Sequence, residues 1–183
     1  MKFLRELLEW IVVLGVSILI YLALTAYVVA PFTVKGHSMD YTFADNDKVF
    51  VSKLSKNYER GENIVFHANE TDDYIKRIVA VPGDTVAYIN DVLYVNGNKV
   101  EEEYLTQKKK EAKEEGNAPL TPDFNIETLS STKSKTVPEG TYFVLGDNRQ
   151  HSTDSRVFGF VKKEKIVGKV VLRYYPFSSF KSF

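Results

Sequence analysis

The sequence predicts a mostly β protein: antiparallel sheets or a partly closed, barrel-like domain, carried on one N-terminal transmembrane helix. Three observations predict it. Residues 11–30 contain no charged side chain and as a helix would span roughly 30 Å, the thickness of a bilayer's hydrocarbon core. After Pro31 the texture changes to short runs of alternating apolar and polar residues, the period of a half-buried strand. Turn signals punctuate those runs at close spacing, at Pro82-Gly83-Asp84, Asn90-Asp91 and Asn96-Gly97. The chain therefore divides into a short N-terminus (1–9), a spanning helix (10–30) and a β-domain (31–183).

The helix comes first. Trp10 marks one end of its apolar run, and Tyr27 and Phe32 lie near the other, where interfacial aromatics belong. The run is longer than the apolar core of a cleaved leader and no Ala-x-Ala site follows it, so an uncleaved anchor is expected. A buried helix of a soluble domain would show a polar face, and none exists here. Lys2 and Arg5 precede the span together with Glu6 and Glu9, while Lys35 and Lys48 follow it, so the count of basic residues does not orient it.

Strands are expected at 32–35, 48–53, 63–67, 74–81, 85–89, 92–95, 142–145 and 166–174. The two asparagine-containing turns make 85–100 a β-meander. Residues 101–116 are dense in Glu and Lys and read as an exposed helix or solvated loop without chemistry. Residues 117–138, rich in Ser, Thr and Pro, read as loop with one strand.

Composition excludes several function classes. Lys and Arg total 24 and so do Asp and Glu, with no basic stripe, which argues against a nucleic-acid partner. Aromatic residues at 13% supply a core. Cysteine is absent, which excludes disulfides, a thiol nucleophile and thiolate-bound zinc. His37, His67 and His151 lack metal-motif spacing, so neither metal nor cofactor is expected.

Three stretches carry the candidate chemistry. In residues 74–84, Tyr-Ile-Lys-Arg-Ile-Val-Ala-Val-Pro-Gly-Asp, a period of two puts Tyr74, Lys76, Ile78 and Ala80 on one face. Ile75, Arg77, Val79 and Val81 occupy the other. A lysine turned inward loses hydration, its pKa falls, and it becomes a general base. Near a strand end, both cations would instead snorkel to water. The second stretch is Thr33-Val34-Lys35-Gly36-His37-Ser38-Met39-Asp40. A serine beside a glycine is commonly only a turn residue. Here Gly36 also allows close backbone approach, and Ser38 opens a turn whose N–H can face a developing oxyanion. A hydroxyl paired with a lysine of depressed pKa is an activated nucleophile. The third stretch, 146–156, reads Gly-Asp-Asn-Arg-Gln-His-Ser-Thr-Asp-Ser-Arg directly after an apolar strand. Its composition fits either a solvated loop or a buried hydrogen-bonded scaffold.

In this order the segments resemble the bacterial type I signal peptidases, membrane-anchored Ser/Lys endopeptidases, in their short Gram-positive form. The resemblance covers nearly the whole chain: the N-terminal apolar segment, Ser38-Met39, Gly61-Glu62-Asn63-Ile64-Val65-Phe66, residues 74–84, residues 146–156, and Gly159. It implies Ser38 as nucleophile and Lys76 as general base, with the Ser152 hydroxyl orienting the lysine amine. It further implies an ion-paired scaffold of Asp147, Asp154 and Arg156, with Arg77 partnering one aspartate. Preproteins bearing signal peptides would be the substrates, cleaved after small residues at −1 and −3, and membrane lipid the second partner. The N-terminus would be cytoplasmic and the catalytic domain extracytoplasmic. The chain departs from the family in places. Tyr41 replaces a common proline, which loosens the turn after Ser38. Gly36 lacks the hydroxyl that a serine there gives some members' oxyanion hole, and Ala80 replaces a common glycine.

Two other readings compete. A Ser-His-Asp hydrolase needs a histidine on Ser38. His37 is its neighbour and points to the opposite face of an extended segment, which leaves His151. An inactive, membrane-anchored domain that binds preproteins is the third reading, favoured by Tyr41 and opposed by retention of Ser38 and Lys76. The C-terminal ten residues hold five aromatics. Pro176 ends the preceding strand, and Phe177, Phe180 and Phe183 either cover a sheet edge or lie with Lys181 in the membrane interface.

Overall fold

Antiparallel pairing organises everything after the first helix. The computed structural model describes residues 2–116 and 119–183. Residues 117 and 118, at the start of the expected loop, lie outside the described residues. The elements are α1 (Lys2–Tyr27), β1 (Val29–Thr33), β2 (Lys48–Ser52), β3 (Asn63–His67), β4 (Asp73–Ala80), β5 (Val86–Ile89), β6 (Val92–Val95) and β7 (Asn98–Val100). They continue with α2 (Thr106–Glu114), β8 (Phe124–Asn125), β9 (Thr141–Leu145), α3 (Ser155–Phe158), β10 (Val161–Lys162), β11 (Ile166–Tyr175) and β12 (Lys181–Ser182). The larger sheet has the order β1-β2-β11-β3-β4-β9-β10, with β12 added on β11, and the smaller has the order β7-β6-β5-β8. The larger sheet is open: β1 and β10 stand at its two ends, and among the described residues no pairing closes it into a barrel.

Local chemistry explains the smaller sheet. Asn90 and Asp91 both take positive φ, as do Asn96 and Gly97. Those conformations make the tight turns whose twist matches paired strands. They set Val86 opposite Val95 and Leu93 opposite Val100.

β4 ties the molecule together. Its residues Ile75 to Ala80 are all buried, because it lies between β3 and β9 with apolar clusters on both faces. Ile75 packs with Met39, Phe43, Val49 and Val51. Ile78 packs with Ile64, Phe66 and Val144. Val79 and Ala80 join Tyr88, Ile126 and Phe143 under the smaller sheet. A lysine in the middle of this strand has no route for snorkelling.

The helix boundaries differ from expectation. α1 begins at Lys2 and ends at Tyr27 instead of covering 10–30. The next strand starts at Val29 because Val29 and Ala30 find partners in Ser52 and Val51 of β2. Lys53 closes the junction: its Nζ donates to the carbonyls of Thr25 (3.0 Å) and Ala26 (3.1 Å), and its backbone N–H to Val28 O (2.9 Å). A cation at a helix C-terminus is favourable to the dipole as well as to the unpaired carbonyls. No residue of α1 is buried against the rest of the protein.

Segment 101–116 also needs correction. α2 is exposed, as expected, but Glu102 and Leu105 ahead of it are buried. At the C-terminus β11 stops at Tyr175, before Pro176. β12 then returns to pair Ser182 with Leu172 and Lys181 with Arg173. Phe183 packs on Phe43 with ring centroids 4.8 Å apart, while Phe177 and Phe180 stay exposed.

Candidate active site

Lys76 is 3% exposed, and its Nζ lies 2.6 Å from Ser38 Oγ. Burial drives its pKa down from 10.5 to about 8, against the opposing pull of the Asp154 and Asp147 carboxylates. The Tyr74 ring stands 5.2 Å from the same nitrogen.

Ser38 is delivered by the turn that follows β1. Gly36 sits at φ +79°, a conformation that a side chain would strain, and donates its N–H to Asp45 Oδ1 at 2.7 Å. Met39, fully buried in the core, pins the next residue. The turn at Tyr41, expected to be loose, is closed by the N–H groups of Thr42 (2.8 Å) and Phe43 (2.7 Å), both on Met39 O. The backbone N–H of Ser38 has no hydrogen-bond partner among the described residues, whereas its carbonyl accepts from Asn148 N at 3.0 Å. Asn148 Nδ2 also holds His37 O at 2.9 Å. The polar block thus grips the peptide of Ser38 itself.

That block, 146–156, is a buried scaffold. Arg77 forms a bidentate pair with Asp147: Nε to Oδ1 at 2.9 Å and Nη2 to Oδ2 at 2.6 Å. The remaining guanidinium donors go to Gly61 O (2.8 Å) and Thr42 Oγ1 (3.1 Å), and Thr42 Oγ1 in turn donates to Asp147. Asp154 is fully buried and caps α3, accepting from Arg156 N, and both its oxygens accept from the Arg156 guanidinium at 2.8 Å. It also takes the Gly146 N–H at 3.1 Å. Removing one partner of such a pair strands a buried charge, at a cost of about 3–5 kcal/mol.

Gly146 sits where the scaffold meets Ser38. A Cβ there would fall 2.5 Å from Ser38 O and 2.1 Å from Ser152 Oγ. Ser152 Oγ is buried with no hydrogen-bond partner among the described residues. A cleft of about 210 Å³ opens over Ser38 and Lys76, walled by Phe32, Ile75, His151 and Thr153. His151 Nδ1 lies 3.3 Å from Asn148 Oδ1, and His37 Nδ1 lies 3.1 Å from Asp40 Oδ2. Neither ring is hydrogen-bonded to Ser38.

Residues 7–175 match the family described as "Signal peptidase, peptidase S26". The chain belongs to that family. Among S26 relatives, signal peptidase IB of Staphylococcus aureus (strain Mu50) is 45% identical over 182 residues, covering 97% of this chain and 94% of the relative. Signal peptidase I of Bacillus caldolyticus is 45% identical over 168 residues, covering 90% of each chain. The crystal structure of a signal peptidase I from Enterococcus faecalis V583 superposes with a TM-score of 0.58 at 45% identity, covering 62% of this chain and 96% of that one. The S26 fold, mostly antiparallel sheet, is therefore the fold of this chain.

The structure puts Ser38 and Lys76 together at the cleft, pairs Arg77 with Asp147 and Asp154 with Arg156, and leaves the Ser152 hydroxyl, expected to orient the lysine amine, without a hydrogen bond to Lys76. Ser152 stands against Gly146. Gly36 shapes the turn, but its N–H is spent on Asp45. Sequence reasoning passed over Glu102 and Tyr104. The guanidinium of Arg77 lies 3.8 Å from the Tyr104 ring centroid. The signal for them was faint: Tyr104 and Leu105 stand as two large apolar residues in a run dominated by Glu and Lys.

Proposed function

We propose that this S26 peptidase is a membrane-anchored serine endopeptidase that removes signal peptides from exported preproteins, with Ser38 as nucleophile and Lys76 as general base. The observation that carries the reading is the 2.6 Å approach of a buried Lys76 Nζ to Ser38 Oγ. A neutral amine at that distance accepts the hydroxyl proton as Oγ attacks the scissile carbonyl. The oxyanion that forms meets the unpartnered N–H of Ser38. Lys76, now ammonium, returns the proton to the departing amine, and the acyl group stays on Oγ. Water then attacks the ester, giving a proton to Lys76, and Lys76 passes that proton to Oγ as the acyl bond breaks, which restores the Ser38 hydroxyl and the neutral amine. The free hydroxyl of Ser152 is the group available to steer the amine, and the Asp147 and Asp154 pairs hold the loop that carries it. His151 spends its Nδ1 contact on an asparagine, and a triad would need a carboxylate there.

A cleft of about 210 Å³ suits small side chains at −1 and −3. Val28 to His37, the ten residues after α1, reach at most about 36 Å if extended, which keeps Ser38 within that distance of the outer membrane face when the N-terminus is cytoplasmic. The full-length protein in detergent is expected to cleave a preprotein carrying Ala-x-Ala and to lose that cleavage when both alanines become leucine. Equal cleavage of the two substrates would refute the specificity.

Membrane lipid is the second partner in this reading. Exposed Phe177 and Phe180 both precede the short strand that opens with Lys181, an aromatic and basic grouping suited to an interfacial contact. Phe177→Ser with Phe180→Ser, in residues 28–183 alone, is expected to weaken liposome binding while shifting stability by no more than about 0.5 kcal/mol. Full binding together with a large fall in melting temperature would make the tail a packing element only.

A further inference from the structure

The most heavily built polar cluster in the protein joins the segment after β7 to the loop after β9. Arg149 is buried. Its Nη2 donates to Glu102 Oε1 at 2.7 Å and to Tyr104 Oη at 2.9 Å, and its Nη1 to Tyr88 Oη at 2.6 Å. The other Glu102 oxygen accepts from Lys109 Nζ of α2 at 3.0 Å and from the Tyr88 hydroxyl. Lys109 also donates to Asp91 O at 2.6 Å. Burial favours a neutral Glu102, but the Arg149 and Lys109 charges and the Tyr88 hydrogen bond outweigh it and hold the carboxyl below its ordinary pKa. Two buried charges, Arg149 and Glu102, are thus fully paired.

The cluster does not stop there. Arg149 Nε donates to Gly146 O at 3.0 Å, and Arg149 O accepts from Arg156 Nη2 at 2.8 Å. Gly146 is the residue packed against Ser38 O and the Ser152 side chain, and Asn148, adjacent to Arg149, grips the carbonyls of His37 and Ser38. A buried ion pair is a poor device for stability alone, since apolar residues of similar volume often stabilise as well or better. What a guanidinium supplies is direction, through a rigid fork of donors.

We infer that Glu102 is a positioning residue for the cleavage reaction: by orienting Arg149 it fixes the 146–149 loop, and through that loop the place of Ser38 relative to Lys76. The inference rests on the Ser38/Lys76 assignment. It gives segment 101–105, which connects the smaller sheet to α2, a part in turnover through the loop it orients. Misplacement of a reacting group by 1 Å can cost about a hundredfold in rate, so loosening this loop is felt in kcat and not in substrate binding.

The test uses the full-length enzyme, an Ala-x-Ala peptide substrate, and rates normalised to folded protein by near-UV circular dichroism. Glu102→Gln is expected to lower kcat by about tenfold or more with KM within about twofold, and Glu102→Asp to recover part of the loss. The decisive variant is Glu102→Met with Arg149→Met, which removes both charges, keeps the volume and folds even where a single change does not. Its melting temperature is expected to match the parent while kcat stays down and the losses of the single variants fail to add. A double variant as active as the parent, or a folded Glu102→Gln with parental kcat, would overturn the inference. Lys76→Ala, assayed in parallel, tests the underlying assignment separately: if it retains turnover, the assignment fails whatever Glu102 does.

Discussion

Lys76→Arg in the full-length protein is expected to lose cleavage as completely as Lys76→Ala and Ser38→Ala, by about a thousandfold or more in kcat/KM. The guanidinium stays protonated at every workable pH and has no lone pair to offer Ser38, so keeping the charge does not keep the chemistry. In the parent enzyme the base is active only when neutral. Burial lowers its pKa to about 8, so kcat/KM should rise as pH climbs through that value, and His151→Ala should leave the profile in place. A Lys76→Arg enzyme with substantial turnover, or an acidic limb that vanishes with His151, would end the dyad assignment. The same pKa has a consequence for stability. Lys76 binds its proton more weakly folded than unfolded, so the unfolded chain holds more protons between pH 8 and 10.5, and stability rises with pH across that window. Below pH 8 the full penalty stands, about 3 kcal/mol. Lys76→Met should therefore melt higher than the parent at pH 7, by a margin that shrinks toward pH 10.5.

Gly146→Ala is expected to lower kcat by about a hundredfold and stability by about 1–3 kcal/mol. At a position with ordinary φ, alanine for glycine usually stabilises by restricting the unfolded chain. Contact reverses the sign here, because the added carbon would fall 2.5 Å from the Ser38 carbonyl and 2.6 Å from Ser152 Cβ. One obstacle is backbone and belongs to Ser38 itself, so relief requires a shift of Ser38 or of the loop that holds its carbonyl. Steady-state kinetics and thermal melts on the purified variant check both numbers. Activity within a few-fold of the parent would show that the loop has slack where the structure shows none.

The sequence made some of this legible and hid the rest for identifiable reasons. Alternation in 74–81 separates Lys76 from Arg77, and the structure gives them different partners, Ser38 and Asp147. Whether Lys76 was buried or snorkelling was not decided locally, since that depended on β3 and β9 arriving on both sides of β4. The block 146–156 was recognisable by its residues, yet its composition alone fitted a solvated loop. It became a scaffold because Arg77 and Arg156 neutralise its aspartates. Glu102 was lost in a charged run, because its partner Arg149 lies 47 residues away and nothing nearby records the encounter. The first helix stops early for a similar reason. Apolar residues 28–30 satisfy a membrane span as well as a strand, and the choice was made by β2.

The junction between α1 and β1 determines how the cleft can move. A single residue, Val28, separates the helix from the first strand, and Lys53 bonds to both sides of the joint. A flexible tether of n residues would let a domain wander by about 5–6 Å times the square root of n. This joint has no such slack. With α1 in a bilayer, the domain rides as a rigid outrigger, free to drift sideways and spin about the membrane normal, but held at one altitude. Reaction with an embedded substrate then becomes a two-dimensional search, in which a peptide bond presented too high or too low passes the nucleophile without meeting it.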